Sequence, residues 1–446
     1  MKNLVERTSI GSKLEISQVL TGLWQIADME RLGSLDVGQF SETIQSYVEA
    51  GFTTFDMADH YGSAEILSGN LLKEFPGIET EFLTKWVPRP GPVTREGTKT
   101  AVLSSLERMG IDSIDLLQFH AWNYADPAWL DSLFWLQELQ EEGLIDQLGV
   151  TNFDTVHLKM AIESGARIVS NQISYSVIDQ RAKEEMAGFC RSNKVSLLAY
   201  GTLAGGFLSE DWLGAEDPGV EHLRKWSQMK YRRFIEAGGG WEAFQKVLNR
   251  LHEVAQVHDL SIANIAGRYI LEDPAVAGVI IGLRLGDTEH IRENSKIFDF
   301  KLSKTDRSDI AEALQVLGMI PGDCGDEYRT PPFLTASGDL SHHFEDAPAP
   351  YEVKELSTNR TVVLSGTSWE GIGGYSRAVR IGDQIWVSGT TATHGTRNIG
   401  GGDPESQAHF IIDKIEGALA SLGGGLRDVV RTRVYLQDIS DWEIVA

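Results

Sequence analysis

The chain is 446 residues long, 42% hydrophobic and 23% charged, a composition that fits a folded protein too large for one core and so divided into two domains. Its 64 acidic and 40 basic residues give a formal net charge of −24, a field that argues against nucleic acid and anionic membrane as partners. Cys190 and Cys324 are the only cysteines and form no C-x-x-C, which excludes a disulfide framework and a structural zinc site, so no metal is expected. With no signal-like N-terminus and no apolar run of membrane-spanning length, a cytoplasmic location is expected.

The first element, SIGSKLEISQV, reads as a hairpin turning at Gly11-Ser12 and placed to plug the floor of a barrel. Candidate strands then run over 19–24, 52–56, 81–85, 114–120, 144–150, 167–173, 195–200 and 277–282. Helical stretches alternate with them at 39–50, 64–75, 94–108, 127–141, 154–164, 181–193, 241–258 and 261–272, with start signals at Asp126-Pro127, Asp154 and Ser261. Eight strand–helix pairs within roughly 250 residues predict a (β/α)8 TIM barrel. The competing Rossmann layout requires G-x-G-x-x-G after the first strand, where this chain has QIADMERLG. The Pro-, Gly- and Asp-rich stretch 317–350 reads as a barrel end grading into a linker, and its part 317–346, with loop 201–240, is expected to shape the barrel entrance. The predicted division is a barrel over 1–335, a linker over 336–350 and a smaller α+β domain over 351–446. In that last part, 375–392 reads as two strands turned at Gly382-Asp383, 406–423 as a helix, and VVRTRVYLQDI (429–439) alternates like a strand. The triple glycines at 238–240, 400–402 and 423–425 lack a following Lys-Ser/Thr and are turns, not phosphate loops.

Barrels of this kind build their sites from the C-terminal ends of the strands. Those ends carry Asp56, with Tyr61 five residues on, then Lys85, His120, Thr151-Asn152, Gln172 and Tyr200. Each has a structural alternative when taken singly: an Asp–Lys ion pair, a packed tyrosine, a satisfied histidine. Jointly they suit carbonyl reduction, in which hydride addition leaves an alkoxide that must be protonated. A phenol titrates near 10, so Tyr61 needs a neighbouring cation to act as an acid at neutral pH. Lys85 supplies that charge, Asp56 holds it, and His120 is expected to donate a hydrogen bond to the substrate oxygen.

These residues lie in motifs that resemble the aldo-keto reductase family over most of 8–316. GFTTFDMADHYG, FLTKW and IDLLQFH carry the resemblance and place its catalytic tetrad at Asp56, Tyr61, Lys85 and His120. LGVTNF and SNQISY imply that Thr151, Asn152 and Gln172 hold a nicotinamide carboxamide, and LLAYGTLAGGFL that Tyr200 stacks on the ring, with Gly201 and Leu203 along the pyrophosphate. VIIGLRLGDTEHIRENS implies Arg284 at the 2′-phosphate, with His290 where many members have a second arginine and Asn294 at the adenine. The implied cofactor is NADP(H), with NAD(H) as the alternative, and the substrate is a small carbonyl compound or alcohol. Trp24, Trp86 and Trp122 follow strands and are candidate walls of a substrate pocket, with packing beneath the loops as the alternative.

Residues 351–446 resemble the N-terminal part of the RidA/YjgF family through GGYSRAV, IWVSGTTA and GLRDVVRTRVYLQDISDW. That family forms trimers and hydrolyses enamines and imines, which implies oligomerisation through this part. The family's later helix, closing strands and carboxylate-binding arginine have no counterpart here, so the domain is expected to be incomplete. Three activities are compatible with the whole: a reductase, a cofactor-sensing regulatory module with little turnover, and a bifunctional protein with imine chemistry in the C-terminal domain.

Overall fold

The computed structural model describes residues 5–26, 30, 37–89, 91–283, 289–335 and 348–446. The hairpin forms from β1 (Arg7–Ile10) and β2 (Leu14–Ser17), paired Ile10 to Leu14 around Gly11. Eight parallel strands come next: β3 (Val19–Gly22), β4 (Thr54–Asp56), β5 (Glu81–Trp86), β6 (Ile114–His120), β7 (Ile145–Thr151), β8 (Ser170–Ser174), β9 (Ser196–Tyr200) and β10 (Val276–Gly282). They close in sequence order, β10 pairing with β3 through Val279 to Val19, which is the expected TIM barrel.

Helices α1 (Val37–Glu49), α2 (Ala64–Glu74), α3 (Arg95–Met109), α4 (Ala128–Glu141), α5 (Thr155–Glu163) and α6 (Glu185–Asn193) cover the first six crossovers. The chain then forms α7 (Trp226–Ala237), α8 (Gly240–His258), α9 (Ile262–Leu271), α10 (Glu289–Ser295), α11 (Lys304–Leu314) and the single turn α12 (Asp326–Arg329). The start signals do their expected work: Asp154 accepts from the His157 amide at 2.7 Å, and Ser261 forms a capping box with Asn264. Helix α7 occupies part of what the sequence suggested was loop. Its first residues are held by a distant acid, since Glu30 accepts from the Trp226 amide and the Ser227 hydroxyl, a cap that no local pattern encodes.

Period-two geometry sets the interior. Leu20, Leu83, Leu116 and Leu198 are fully buried and pack with Ile10, Leu14 and Ile16 of the hairpin, which plugs the floor. Residues two further along β5, β6 and β9 therefore point into the upper barrel, and these are Lys85, Gln118 and Tyr200.

In the C-terminal part, β11 (Glu352–Ser357), β12 (Arg360–Leu364), β13 (Ala378–Ile381) and β14 (Gln384–Val387) form an antiparallel sheet in sequence order. The short α13 (Ser368–Gly373) links β12 to β13, and α14 (Pro404–Ser421) packs Ala418 against Val363, Ala378 and Tyr351. The strand expected over 429–439 does not form. Val430 and Tyr435 are 99% and 81% exposed, because an alternating run becomes a strand only beside a free edge, and none is paired with it. This part docks on the α4–α5 side of the barrel. Lys159 bonds Asp403 and Glu405, His394 bonds Asp131 at 2.7 Å, and Arg397 lies 3.8 Å over the Phe134 ring. Residues 336–347 of the expected linker lie outside the described residues. Among the described residues no helix is long and apolar enough to cross a membrane.

Candidate active site

The ends of β4, β5, β6 and β8 bring four polar side chains to one buried point. Lys85 Nζ donates to Asp56 Oδ1 and Oδ2 at 2.9 and 2.7 Å and to the Met57 carbonyl at 2.8 Å. Gln172 Nε2 donates to Asp56 Oδ1 at 2.6 Å and to Gln118 Oε1 at 3.0 Å, so the carboxylate is satisfied from two sides. Burial pulls the Lys85 ammonium below its usual range, and Asp56 opposes that pull. Tyr61 lies on the β4–α2 loop with its ring centroid 5.3 Å from Lys85 Nζ, held edge-on by Trp24 at 4.9 Å. Gln118 was not among the expected site residues, although the inward parity of His120 marks it.

His120 is buried, with Nδ1 3.4 Å from the Thr151 carbonyl and Nε2 without any hydrogen-bond partner among the described residues. Burial, then the positive charge of Arg329, holds the ring well below its ordinary value, with His60 and Lys230 acting in the same sense. It is therefore neutral. Its two ring nitrogens differ in surroundings: Nδ1 faces the Thr151 carbonyl, and Nε2 is the nitrogen left for a ligand in the cavity that His120 lines.

The residues expected around a nicotinamide gather beside this group. Thr151 Oγ1 and the Asn152 amide both donate to the Gln172 carbonyl, at 3.0 and 2.8 Å. Asn152 has φ 59°, a left-handed conformation that asparagine tolerates better than most residues, and its Oδ1 accepts from the Tyr200 hydroxyl at 2.7 Å. At Gly201, φ is 69° and a Cβ would fall 2.1 Å from the Tyr231 hydroxyl, so only glycine fits there.

Segment 323–329, within the stretch expected to shape the entrance, lies in the mouth of the barrel. Arg329 donates to the carbonyls of Asn152 and Ala121 at 2.7 and 2.8 Å. Glu327 is buried beside Tyr200 and pairs with Arg181 at 2.8 Å; burial alone would raise its pKa, but Arg181 and Lys230 bring it below the usual value. Tyr328 accepts from Lys230 Nζ at 2.5 Å. Sequence periodicity gave no sign of these contacts, which join residues 98 to 208 positions apart.

A cavity of about 510 Å3 runs from Tyr61 and His120 past Tyr200, Gly201 and Leu203 to Asn264, His290 and Asn294. Its size and elongation, the unpartnered His120 Nε2 and the glycine-lined turn after Tyr200 fit a nicotinamide dinucleotide. Trp24 and Trp122 line it. Trp86 does not: parity along β5 turns it away from Lys85, and it packs 5.5 Å from Phe119 in the helix layer. Arg284 lies outside the described residues. Among the described residues no cluster of three or more His, Cys, Asp or Glu could hold a metal.

Residues 18–315 match the profile of the Aldo/keto reductase family, and residues 365–446 match that of Endoribonuclease L-PSP, the RidA family. The chain is 25% identical over 353 residues to Aldo-keto reductase YhdN of Bacillus subtilis (strain 168), covering 74% of this chain and 98% of that one. It is 26% identical over 332 residues to the NADH-specific methylglyoxal reductase of Escherichia coli (strain K12), covering 68% and 97%. A crystal structure of a thermostable aldo-keto reductase in complex with the inhibitor epalrestat matches with a TM-score of 0.55 at 26% identity, over 69% of this chain and 99% of that one.

Proposed function

The chain belongs to the aldo/keto reductase family, and on that premise we propose that its barrel reduces an aldehyde or ketone with NADP(H), using Tyr61 as general acid. The observation that carries the reading is the Asp56–Lys85 ion pair beneath Tyr61, in one cavity with the unpartnered His120 Nε2. A reduced nicotinamide bound in the cavity supplies the hydride. Tyr61 delivers its proton to the carbonyl oxygen, and the Lys85 ammonium stabilises the phenolate left behind. Asp56, with Gln118 and Gln172 behind it, keeps that ammonium in place. His120 Nε2, the ring nitrogen left without a partner, would hydrogen-bond the substrate oxygen and so orient it toward Tyr61. Thr151, Asn152, Gln172 and Tyr200 frame the nicotinamide, Gly201 and Leu203 the pyrophosphate, and His290 and Asn294 the adenosine.

Preference for NADP(H) is assigned to Arg284 by its position in the family motif. Fluorescence titration tests it: Arg284→Ala should weaken NADPH about tenfold, the size of one lost charged hydrogen bond, and leave NADH alone. Multiple-turnover NADPH oxidation with a panel of aldehydes tests the activity. Failure of every aldehyde to exceed the enzyme-free rate would refute it, and a single turnover followed by arrest would point to a cofactor sensor instead.

A further inference from the structure

Helix α14 belongs to the C-terminal part, yet it packs on the two barrel loops that leave His120 and Asn152. We propose that α14 is a positioning element of the reductase, acting through His157, Tyr124 and Arg329 on the backbone that carries those two residues; this rests on the reductase reading of the barrel.

The helix is seated in the barrel's own core. Phe410 of α14 is fully buried and joins the same apolar cluster as Tyr124 and Phe153. Backbone also meets backbone, since a Cβ at Gly417 would collide with the Ala125 carbonyl in the loop after His120. Close packing of this kind fixes the distance between helix and loop.

From α14 the contacts lead inward without a gap. Asp413 lies 3.2 Å from Nε2 of His157, whose Nδ1 lies 2.7 Å from Asp154, the cap of α5. The His157 ring stacks on Tyr124 at 3.5 Å with an interplanar angle of 6°. Tyr124 in turn lies 4.4 Å from the Arg329 guanidinium. Arg329 is 8% exposed and donates to one carbonyl of each loop, Ala121 at 2.8 Å and Asn152 at 2.7 Å. Ala121 directly follows His120. Asn152 accepts from Tyr200, which the reductase reading places at the nicotinamide. A stacked ring pair and a guanidinium shared by two carbonyls tolerate little displacement before a hydrogen bond is lost, so a shift of α14 is passed on to both loops.

The test is NADPH binding by the full chain, followed by tryptophan fluorescence. Asp413→Ala and Tyr124→Leu should each weaken NADPH about fivefold, the low end of coupling between distinct sites. Their double variant should be no weaker than Tyr124→Leu alone, because the route is already cut. Tyr124→Phe keeps the stacked ring and should bind as wild type does. Lys159→Met removes the ion pairs to Asp403 and Glu405 in the same interface and should also leave NADPH affinity unchanged. By reciprocity, NADPH should slow amide hydrogen exchange in α14 about fivefold in the wild type and not in Tyr124→Leu. Undiminished NADPH affinity in Asp413→Ala would overturn the proposal and leave the reductase reading standing. Additive losses in the double variant, or exchange in α14 that ignores NADPH, would overturn it too, since α14 would then contribute stability alone. If Tyr124→Leu does not fold, Asp413→Ala and the wild-type exchange decide. A wild type that binds neither NADPH nor NADH fails the reductase reading itself, and the proposal falls with it.

Discussion

Tyr61 can act as an acid only while the charge beneath it persists. Removing its hydroxyl as Tyr61→Phe leaves the ring contact with Trp24 intact and should lower kcat by about 10²–10⁴-fold, the usual worth of a positioned acid, with little change in thermal stability. A rate within twofold of wild type would dismiss Tyr61 as the donor. The pH profile gives a second check. Burial holds Lys85 below its ordinary 10.5 despite Asp56, so the alkaline limb of kcat/KM for reduction should begin below 10.5. His120 is held well below 6.5, so no activity limb near 6.5 should belong to it. Substituting His120 by Asn should leave any such limb where it was.

Among the elements, the α12 turn decides how the nicotinamide end is built. Gly325, just before it, has φ 83°, and a Cβ there would fall 1.9 Å from the Asn152 carbonyl. Gly325→Ala should cost about 1–3 kcal/mol and weaken cofactor binding, because Asn152 and Tyr200 must shift together. Gly143, at φ 84° with open space around its Cα, is the control: Gly143→Ala bears only the backbone strain and should bind cofactor normally. Equal cofactor affinity for both variants would show that the turn does not shape the site. The sequence made part of this legible. IDLLQFH is recovered as β6 in full, because a barrel strand reads as a near-continuous apolar run ending in its functional residue. Parity along β6 and β5 separates Gln118, inside the site, from Trp86, outside it, although neither was so assigned from the sequence. It was not enough for Lys230 and Tyr328, whose meeting depends on how α7 and α12 pack, or for 429–439, whose alternation describes a strand but not a neighbour for it.

At the scale of the whole molecule, an acidic chain joins its two parts through buried charge. His157, at the start of α5, places Nδ1 2.7 Å from Asp154 and Nε2 3.2 Å from Asp413 of α14, with its ring stacked 3.5 Å from Tyr124. Burial disfavours the charged ring, but the two carboxylates prevail and raise its pKa to about 10. A histidine whose folded pKa lies above its unfolded 6.5 contributes stability that is complete below 6.5 and is lost as pH rises through 10. The docked state should therefore weaken across that interval. Lys414 in the same helix is pulled down to about 8 by burial, and this background titration is common to wild type and variant. Asp413→Asn keeps the side-chain shape but removes one of the two carboxylates that charge His157. Its melting temperature should be lower at pH 7 and should fall less between pH 7 and 10 than that of wild type. Each kcal/mol of difference corresponds to roughly 2–4 °C for units of this size. Parallel melting curves for the two proteins across that range would mean that His157 is uncharged in the docked state, and that the Lys159 and His394 contacts hold the two parts together without it.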